Sequence, residues 1–188
     1  MRPAPGVACA CLALLVAGCH GAAPPVPAGY QGGVATLKDT VEVAPNADCG
    51  SFFVLTQYDG QPARNAYIES SAANTGVGAH WAHLREYARA VPARAGSFTL
   101  AGGTHCAATL MEYSAWTHAH LVEGTVAFTP QAGAVYVVRG ALTEEASAVW
   151  IAEEASGRQV SARLLVHGSA RPRPLGGTTG KVESVPAP

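Results

Sequence analysis

Short runs with a hydrophobic residue at every second position recur through the middle of the chain, and a turn signal closes most of them. The run "SFFVLTQ" at 51–57, for example, is followed closely by Asp59-Gly60. Successive side chains of a strand point to opposite faces, so this spacing places the hydrophobic side chains towards a core and the others towards solvent. About eight such runs are present. The pattern therefore predicts an all-β chain, with strands at 34–43, 51–57, 66–70, 97–102, 121–128, 134–142, 147–154 and 159–166.

The spacing of these runs also predicts how they pair. Five residues with Pro and Gly join 121–128 to 134–142, and a Gly-containing turn joins 147–154 to 159–166, so each pair is expected to form a hairpin. A two-sheet antiparallel sandwich is the most economical architecture for such strands. One short helix is expected at 82–91, where Leu84 and Val91 recur at helical spacing before Pro92.

Three stretches carry a family resemblance. Pro92-Ala93-Arg94-Ala95-Gly96 precedes one strand, Ala132-Gly133 with Tyr136 begins another, and Trp150-Ile151 with Glu153 lies in a third. Together they resemble uncharacterised bacterial lipoproteins with transthyretin-like or Ig-like β-sandwich domains. Each motif supplies a turn and core positions, so the resemblance implies a fold and does not imply a reaction.

The N-terminus has the order of features found in bacterial lipoprotein signals. Arg2 precedes an apolar stretch at 7–18 that is too short to span a bilayer, and the stretch ends in Val16-Ala17-Gly18-Cys19. This ending resembles the lipobox, which implies cleavage before Cys19 and lipid attachment to its thiol. An ordinary secretory signal with an incidental Cys is the alternative. His20 stands where an Asp often retains such proteins in the inner membrane, so the resemblance implies the periplasmic face of the outer membrane.

These features divide the chain into four parts. Residues 1–18 are expected to be a signal peptide, and residues 19–33 a lipidated Cys with a flexible Pro-rich tether that reaches roughly 40 Å. Residues 34–168 form the predicted β-sandwich domain. Residues 169–188, rich in Pro and Gly, are expected to be a disordered tail.

The cysteines agree with export from the cytoplasm. Of five cysteines, two lie in the signal segment and one is Cys19, which leaves Cys49 and Cys106. In an oxidising compartment such a pair most simply forms a disulfide, although two buried free thiols are the alternative.

Charge and motifs exclude several classes of function. The net charge is −1, so the chain lacks a basic field for nucleic acid. The sequence has no G-x-S-x-G, no H-E-x-x-H and no phosphate-cradling Gly loop with Lys. We therefore expect no enzyme activity and no cofactor.

Histidines form the one suggestive cluster. His118 and His120 share one face of a strand if that strand starts before 121, and His105 is a third candidate zinc or copper ligand. His80 and His83 lie in a neighbouring loop. Histidines at the rim of the core are the competing interpretation, and it is the one favoured here.

Trp81 and Trp116 lie beside these histidines and could stack on envelope sugars, although burial is the commoner fate of Trp. The sequence thus predicts a membrane-anchored, non-enzymatic envelope lipoprotein that acts as a structural or interaction module. A periplasmic metal-binding module is the alternative. The expected partners are the lipid bilayer, through acylated Cys19, and an unidentified envelope protein or glycan.

Overall fold

The computed structural model describes residues 24–43, 49–75, 83–106, 121–167 and 181–188. One short helix, α1, occupies Ala66–Ala73. The strands are β1 Val34–Lys38, β2 Thr40–Val43, β3 Cys49–Tyr58, β4 Gln61–Pro62, β5 Ala88–Pro92, β6 Gly96–Cys106, β7 Leu121–Phe128, β8 Val135–Leu142, β9 Ala146–Glu153, β10 Arg163–His167 and β11 Glu183–Val185.

The strands form two sheets that pack face to face. The six-stranded sheet has the order β11-β10-β9-β8-β1-β5. The five-stranded sheet has the order β2-β3-β6-β7, with β4 paired to β3. The described strand pairs are antiparallel except β1–β8, which is parallel. The structure thus confirms the predicted all-β sandwich with one short helix.

The inner faces of the two sheets enclose the main core. Alternate residues of the longer strands point inwards, as the period of two requires. The fully buried members come from both sheets and include Leu37, Leu55, Phe98, Leu100, Val122, Val138, Val149, Ile151 and Val166.

A second, smaller cluster lies on the outer face of the five-stranded sheet. Phe52 and Val54 of β3 pack there against Ala66 of α1, with Tyr67 and Leu84 at the margin. The helix therefore covers one end of a sheet face that solvent would otherwise reach.

The predicted hairpin of 121–128 with 134–142 is wrong. β7 pairs with β6, whereas β8 pairs with β9 and β1, so the connection crosses from one sheet to the other. The chain that leads into β8 binds β1 and not β7: Gly133 N–H donates to Val34 O at 2.8 Å, and Thr36 N–H donates to Ala134 O at 3.0 Å. The second predicted hairpin is confirmed by the antiparallel pairing of β9 with β10.

Two local predictions are wrong in opposite ways, because a predicted strand is a helix and a predicted helix contains a strand. The run 66–70, expected to be a strand, is helical because Asn65 caps it: the side chain of Asn65 accepts from Ile68 N–H at 3.0 Å. The expected helix at 82–91 is wrong as well. Residues 83–87 have no regular structure, and β5 follows, because pairing with β1 buries alternate residues Arg89 and Val91.

The C-terminal segment, expected to be disordered, contributes a strand. Residues 183–185 form β11 and pair with β10, although all three are exposed. Val182 packs on the core beside Leu164, near the edge strand β7. No helix among the described residues is long and apolar enough to cross a membrane.

Candidate functional site

The two cysteines left after the signal and lipid cysteines lie opposite each other. Cys49 begins β3, Cys106 ends β6, and the backbone register pairs the two residues directly. Opposed residues of antiparallel strands have Cα atoms about 4.5 to 5.5 Å apart, which is within the range of about 4.4 to 6.8 Å that a disulfide spans. The backbone therefore brings together the two residues that the cysteine count selected.

The predicted metal candidates are not assembled by the described part of the chain. His105 lies in β6 opposite Gly50, beside Cys106. His118 and His120 lie outside the described residues, as do Cys19, His80, Trp81 and Trp116. His83 is exposed, and no group of three potential metal ligands occurs among the described His, Cys, Asp and Glu residues.

Asp39 occupies the corner where the chain passes from β1 in one sheet to β2 in the other. Its carboxylate accepts from Leu55 N–H of β3 at 3.1 Å and from Ala66 N–H of α1 at 2.8 Å. The pairing of β2 with β3 reaches only Phe53, so β2 does not bind the Leu55 amide. The carboxylate of Asp39 accepts the hydrogen bond from that amide instead. Asn65 completes the cap by donating to Leu55 O at 3.3 Å.

Arg89 of β5 closes this corner. One guanidinium nitrogen donates to Asp39, and the guanidinium lies over the ring of Tyr87 with its carbon 4.9 Å from the ring centroid. Nε and the other terminal nitrogen of Arg89 are buried, and no hydrogen bond to a described residue satisfies them. Burial raises the pKa of Asp39, and Arg89 and the two backbone amides oppose this rise.

The N-terminal segment 24–28 lines two grooves, one of which it shares with β5. The first, of about 420 Å³, is lined by this segment together with Arg64, Tyr87 and Arg89. The second, of about 460 Å³, lies between the same segment and Tyr58, Asp59 and Arg94.

A polar cluster forms the wall of the second groove. Asp59 accepts from Ser97 N–H at 2.9 Å and from Arg94 at 2.8 Å, and these interactions lower the pKa of Asp59. The hydroxyl of Tyr58 is buried beside the Asp59 carboxylate, and no described residue meets the geometry of a hydrogen bond with it. Burial, followed by the neighbouring Asp59 charge, raises the pKa of Tyr58. Asp59 and Gly60 have positive φ angles of 48° and 77°, as expected for the turn predicted here.

The outer face of the six-stranded sheet carries an aromatic side chain with an arginine on each neighbouring strand. Arg139 of β8 pairs in register with Trp150 of β9, and the guanidinium carbon of Arg163 of β10 lies 4.2 Å from the Trp150 ring centroid. Sequence reasoning placed Trp150 among core positions, but its buried neighbours Val149 and Ile151 turn it outwards. Residues 149, 150 and 151 are all apolar, so the alternating direction of side chains along β9 places Trp150 outwards, and no sequence pattern signals it.

Trp and Arg are the residues most enriched where interfaces bind tightly. Stacking on a ring holds a guanidinium in place to bind a carboxylate or phosphate through its exposed nitrogens, and Nε of Arg163 is buried. Arg139 is exposed, and Trp150 and Arg163 are half-buried. We call Arg139, Trp150 and Arg163 the arginine–tryptophan row.

Comparison of the chain with protein-family models, with curated proteins and with solved structures gave no match. The resemblance to transthyretin-like and Ig-like lipoproteins thus stays a prediction.

Proposed function

We propose that this protein is a lipid-anchored envelope lipoprotein whose β-sandwich acts as an interaction module and not as an enzyme. The observation that carries the proposal is the opposed pair Cys49 and Cys106, in a chain whose N-terminus resembles a lipoprotein signal ending at Cys19. Cysteines at directly opposed backbone positions are compatible with a disulfide, which would fit an oxidising compartment, and the signal would supply the route to one.

The structural role of the buried Asp39 carboxylate supports a non-catalytic function. Asp39 is the one buried carboxylate among the described residues, and each of its contacts joins elements of the fold. Because it is closed off from solvent, it is not placed to move a proton to or from a ligand. The arginine–tryptophan row is the surface that we assign to partner contact.

Metabolic labelling with a clickable fatty acid tests the anchor. The intact protein should take the label, and Cys19→Ser should lose it. Cys11→Ser is the matched control, because Cys11 lies inside the predicted signal and its loss should leave labelling unchanged. Label that persists on Cys19→Ser would refute lipid attachment at Cys19.

The interaction role has its own test. A photo-crosslinking amino acid at position 139 should give discrete adducts in intact envelopes, and Trp150→Ala should reduce them. The same amino acid at position 125, an exposed residue of β7 on the other sheet, is the control. If positions 139 and 125 gave equal adducts, and Trp150→Ala did not change them, the arginine–tryptophan row would not be the partner-binding surface.

A further inference from the structure

The Pro-rich segment expected to act as a free tether is partly a component of the domain. Pro24, Pro25 and Val26 line the groove beside β5, and Pro27 and Ala28 line the groove beside the β3–β4 turn. Residues 25, 26 and 30 are half-buried. The segment continues directly into β1, where Ala93 N–H donates to Gly33 O at 2.8 Å.

The composition of the segment explains why it lies beside an edge strand. β5 ends the six-stranded sheet, so one side of its backbone has no strand partner in that sheet. Prolines have no amide to pair with such an edge, and they restrict the unfolded chain, which lowers the entropy lost when the segment is ordered. The segment therefore lies across a groove from β5 without extending the sheet, and a neighbouring segment of this kind protects against edge-to-edge association.

The length of chain between this segment and Cys19 is short. Only residues 20–23 separate Cys19 from Pro24. Since consecutive Cα atoms of an extended chain are at most about 3.6 Å apart along its length, Pro24 lies within about 18 Å of Cys19. This limit is less than half of the reach expected from the whole segment acting as a tether.

We propose that the β5 edge of the domain faces the lipid surface that holds the acyl anchor, so that the opposite edge, β10–β11, points away from it. We call the β5 side, with segment 24–28, Arg64 and the β3–β4 turn, the anchor-side edge. The inference rests on the proposed lipidation of Cys19.

The chemistry of the anchor-side edge suits a headgroup layer. The side chains of Arg64 and Arg94 are 58% and 50% exposed, and each pairs with a carboxylate, of Glu69 and Asp59 respectively. Paired charges of this kind tolerate the zwitterionic and anionic groups of a bilayer surface without depending on them. The covalent anchor, and not net charge, sets the orientation.

The two edges are far enough apart for a depth measurement. β5 and β11 are the first and last strands of a six-stranded sheet. With neighbouring strands about 4.8 Å apart, the edges are separated by about 24 Å. A probe on each edge therefore reports a different height if the orientation is fixed.

The experiment uses the full lipidated chain in vesicles of phosphatidylethanolamine and phosphatidylglycerol with spin-labelled headgroups. A fluorescent unnatural amino acid replaces exposed Gln61 of β4, which lines the groove shared with segment 24–28, in one variant, and exposed Val185 of β11 in another. The expected result is strong quenching at position 61 and weak quenching at position 185. Equal quenching, or stronger quenching at 185, would overturn the orientation.

A linker variant provides the matched control. Inserting about 12 Gly and Ser residues between 22 and 23 adds an average reach of about 20 Å, so quenching at 61 should fall towards the value at 185. Unchanged quenching at 61 would show that the short connection does not set the orientation. Intact mass separates the two proposals: an acylated chain without the depth difference contradicts only the orientation, whereas a chain without acyl mass contradicts both.

Discussion

The carboxylate of Asp39 and the guanidinium of Arg89 form an ion pair at the corner of the sandwich, with side-chain exposures of 0% and 4%. The pair joins β5 to the link between the two sheets, and the same carboxylate binds β3 and α1. Four elements that are distant in sequence thus meet at one side chain. Removing either charge leaves the other buried without a counter-ion.

We expect Asp39→Asn and Arg89→Met each to lower the free energy of unfolding by about 3 to 5 kcal/mol, because each leaves one uncompensated buried charge or orphaned amides. Urea unfolding at neutral pH measures the change. Arg64→Gln is the control, because its ion pair with Glu69 is largely exposed and should contribute less than about 1 kcal/mol. A loss for Asp39→Asn no larger than that of the control would contradict this account.

The sequence predicted the strands well where the signal was local. β3, β6, β8 and β9 lie where alternation placed them, because burial on one face imposes a period of two whatever the partner strand is. α1 was missed although its signal is also local: the capping residue Asn65 precedes it. The partners of β8 were not predictable, because β1 lies about a hundred residues away along the chain and wins the pairing.

The candidate site was predictable only in part, for the same reason. Counting cysteines selected Cys49 and Cys106, but their opposition depends on the register of β3 with β6, which no local pattern gives. Asp39 and Arg89 are 50 residues apart and become partners only when β5 joins β1. The arginine–tryptophan row similarly requires three strands in one register.

Tyr58→Phe tests the unsatisfied hydroxyl. We expect a gain in unfolding free energy of about 1 kcal/mol at pH 7, because a buried donor without a partner is removed while the edge contact with Phe98 is kept. The folded-state pKa of Tyr58 is raised above 10.0, so ionising the phenol costs more in the folded protein than in the unfolded chain, and the unfolding free energy falls as pH rises from 10 through the folded value.

Unfolding at pH 7 and above pH 10 checks both effects of Tyr58→Phe. The variant should lose less stability than the parent between these two conditions. Tyr67→Phe, a half-buried tyrosine of α1, controls for removal of a phenol. An identical alkaline loss in the parent and in Tyr58→Phe would contradict the prediction.

Gly140 tests the contact between the sheets. A Cβ there would overlap the ring of Phe53 and approach Ala148 O to 2.6 Å. Gly140→Ala should therefore cost about 1 to 3 kcal/mol through overpacking. The double variant with Phe53→Leu should lose less than the sum of the two single changes, because the smaller side chain relieves the overlap. Additive losses would indicate that the two residues do not meet.

Elemental analysis tests the histidine hypothesis. We expect the lipid-free domain, residues 20–188, to hold no stoichiometric metal when it is purified without chelators or a His tag. His118→Ala with His120→Ala should also fold normally, because rim histidines contribute little to the core. About one zinc or copper per chain, lost in the double variant, would favour the metal-binding module.

The last prediction concerns the proposed Cys49–Cys106 disulfide. Non-reducing mass mapping of protein taken from the periplasm should find the two peptides joined. The bridge closes a long loop, so on the chain-entropy model its loss should lower the unfolding free energy by about 4 kcal/mol. Cys49→Ser, Cys106→Ser and the double variant should lose equal amounts, because each removes the same bond, and reduction of the parent should reproduce that loss. Quantitative alkylation of both thiols in untreated protein would refute the disulfide, and it would also remove the main structural support for an oxidising compartment.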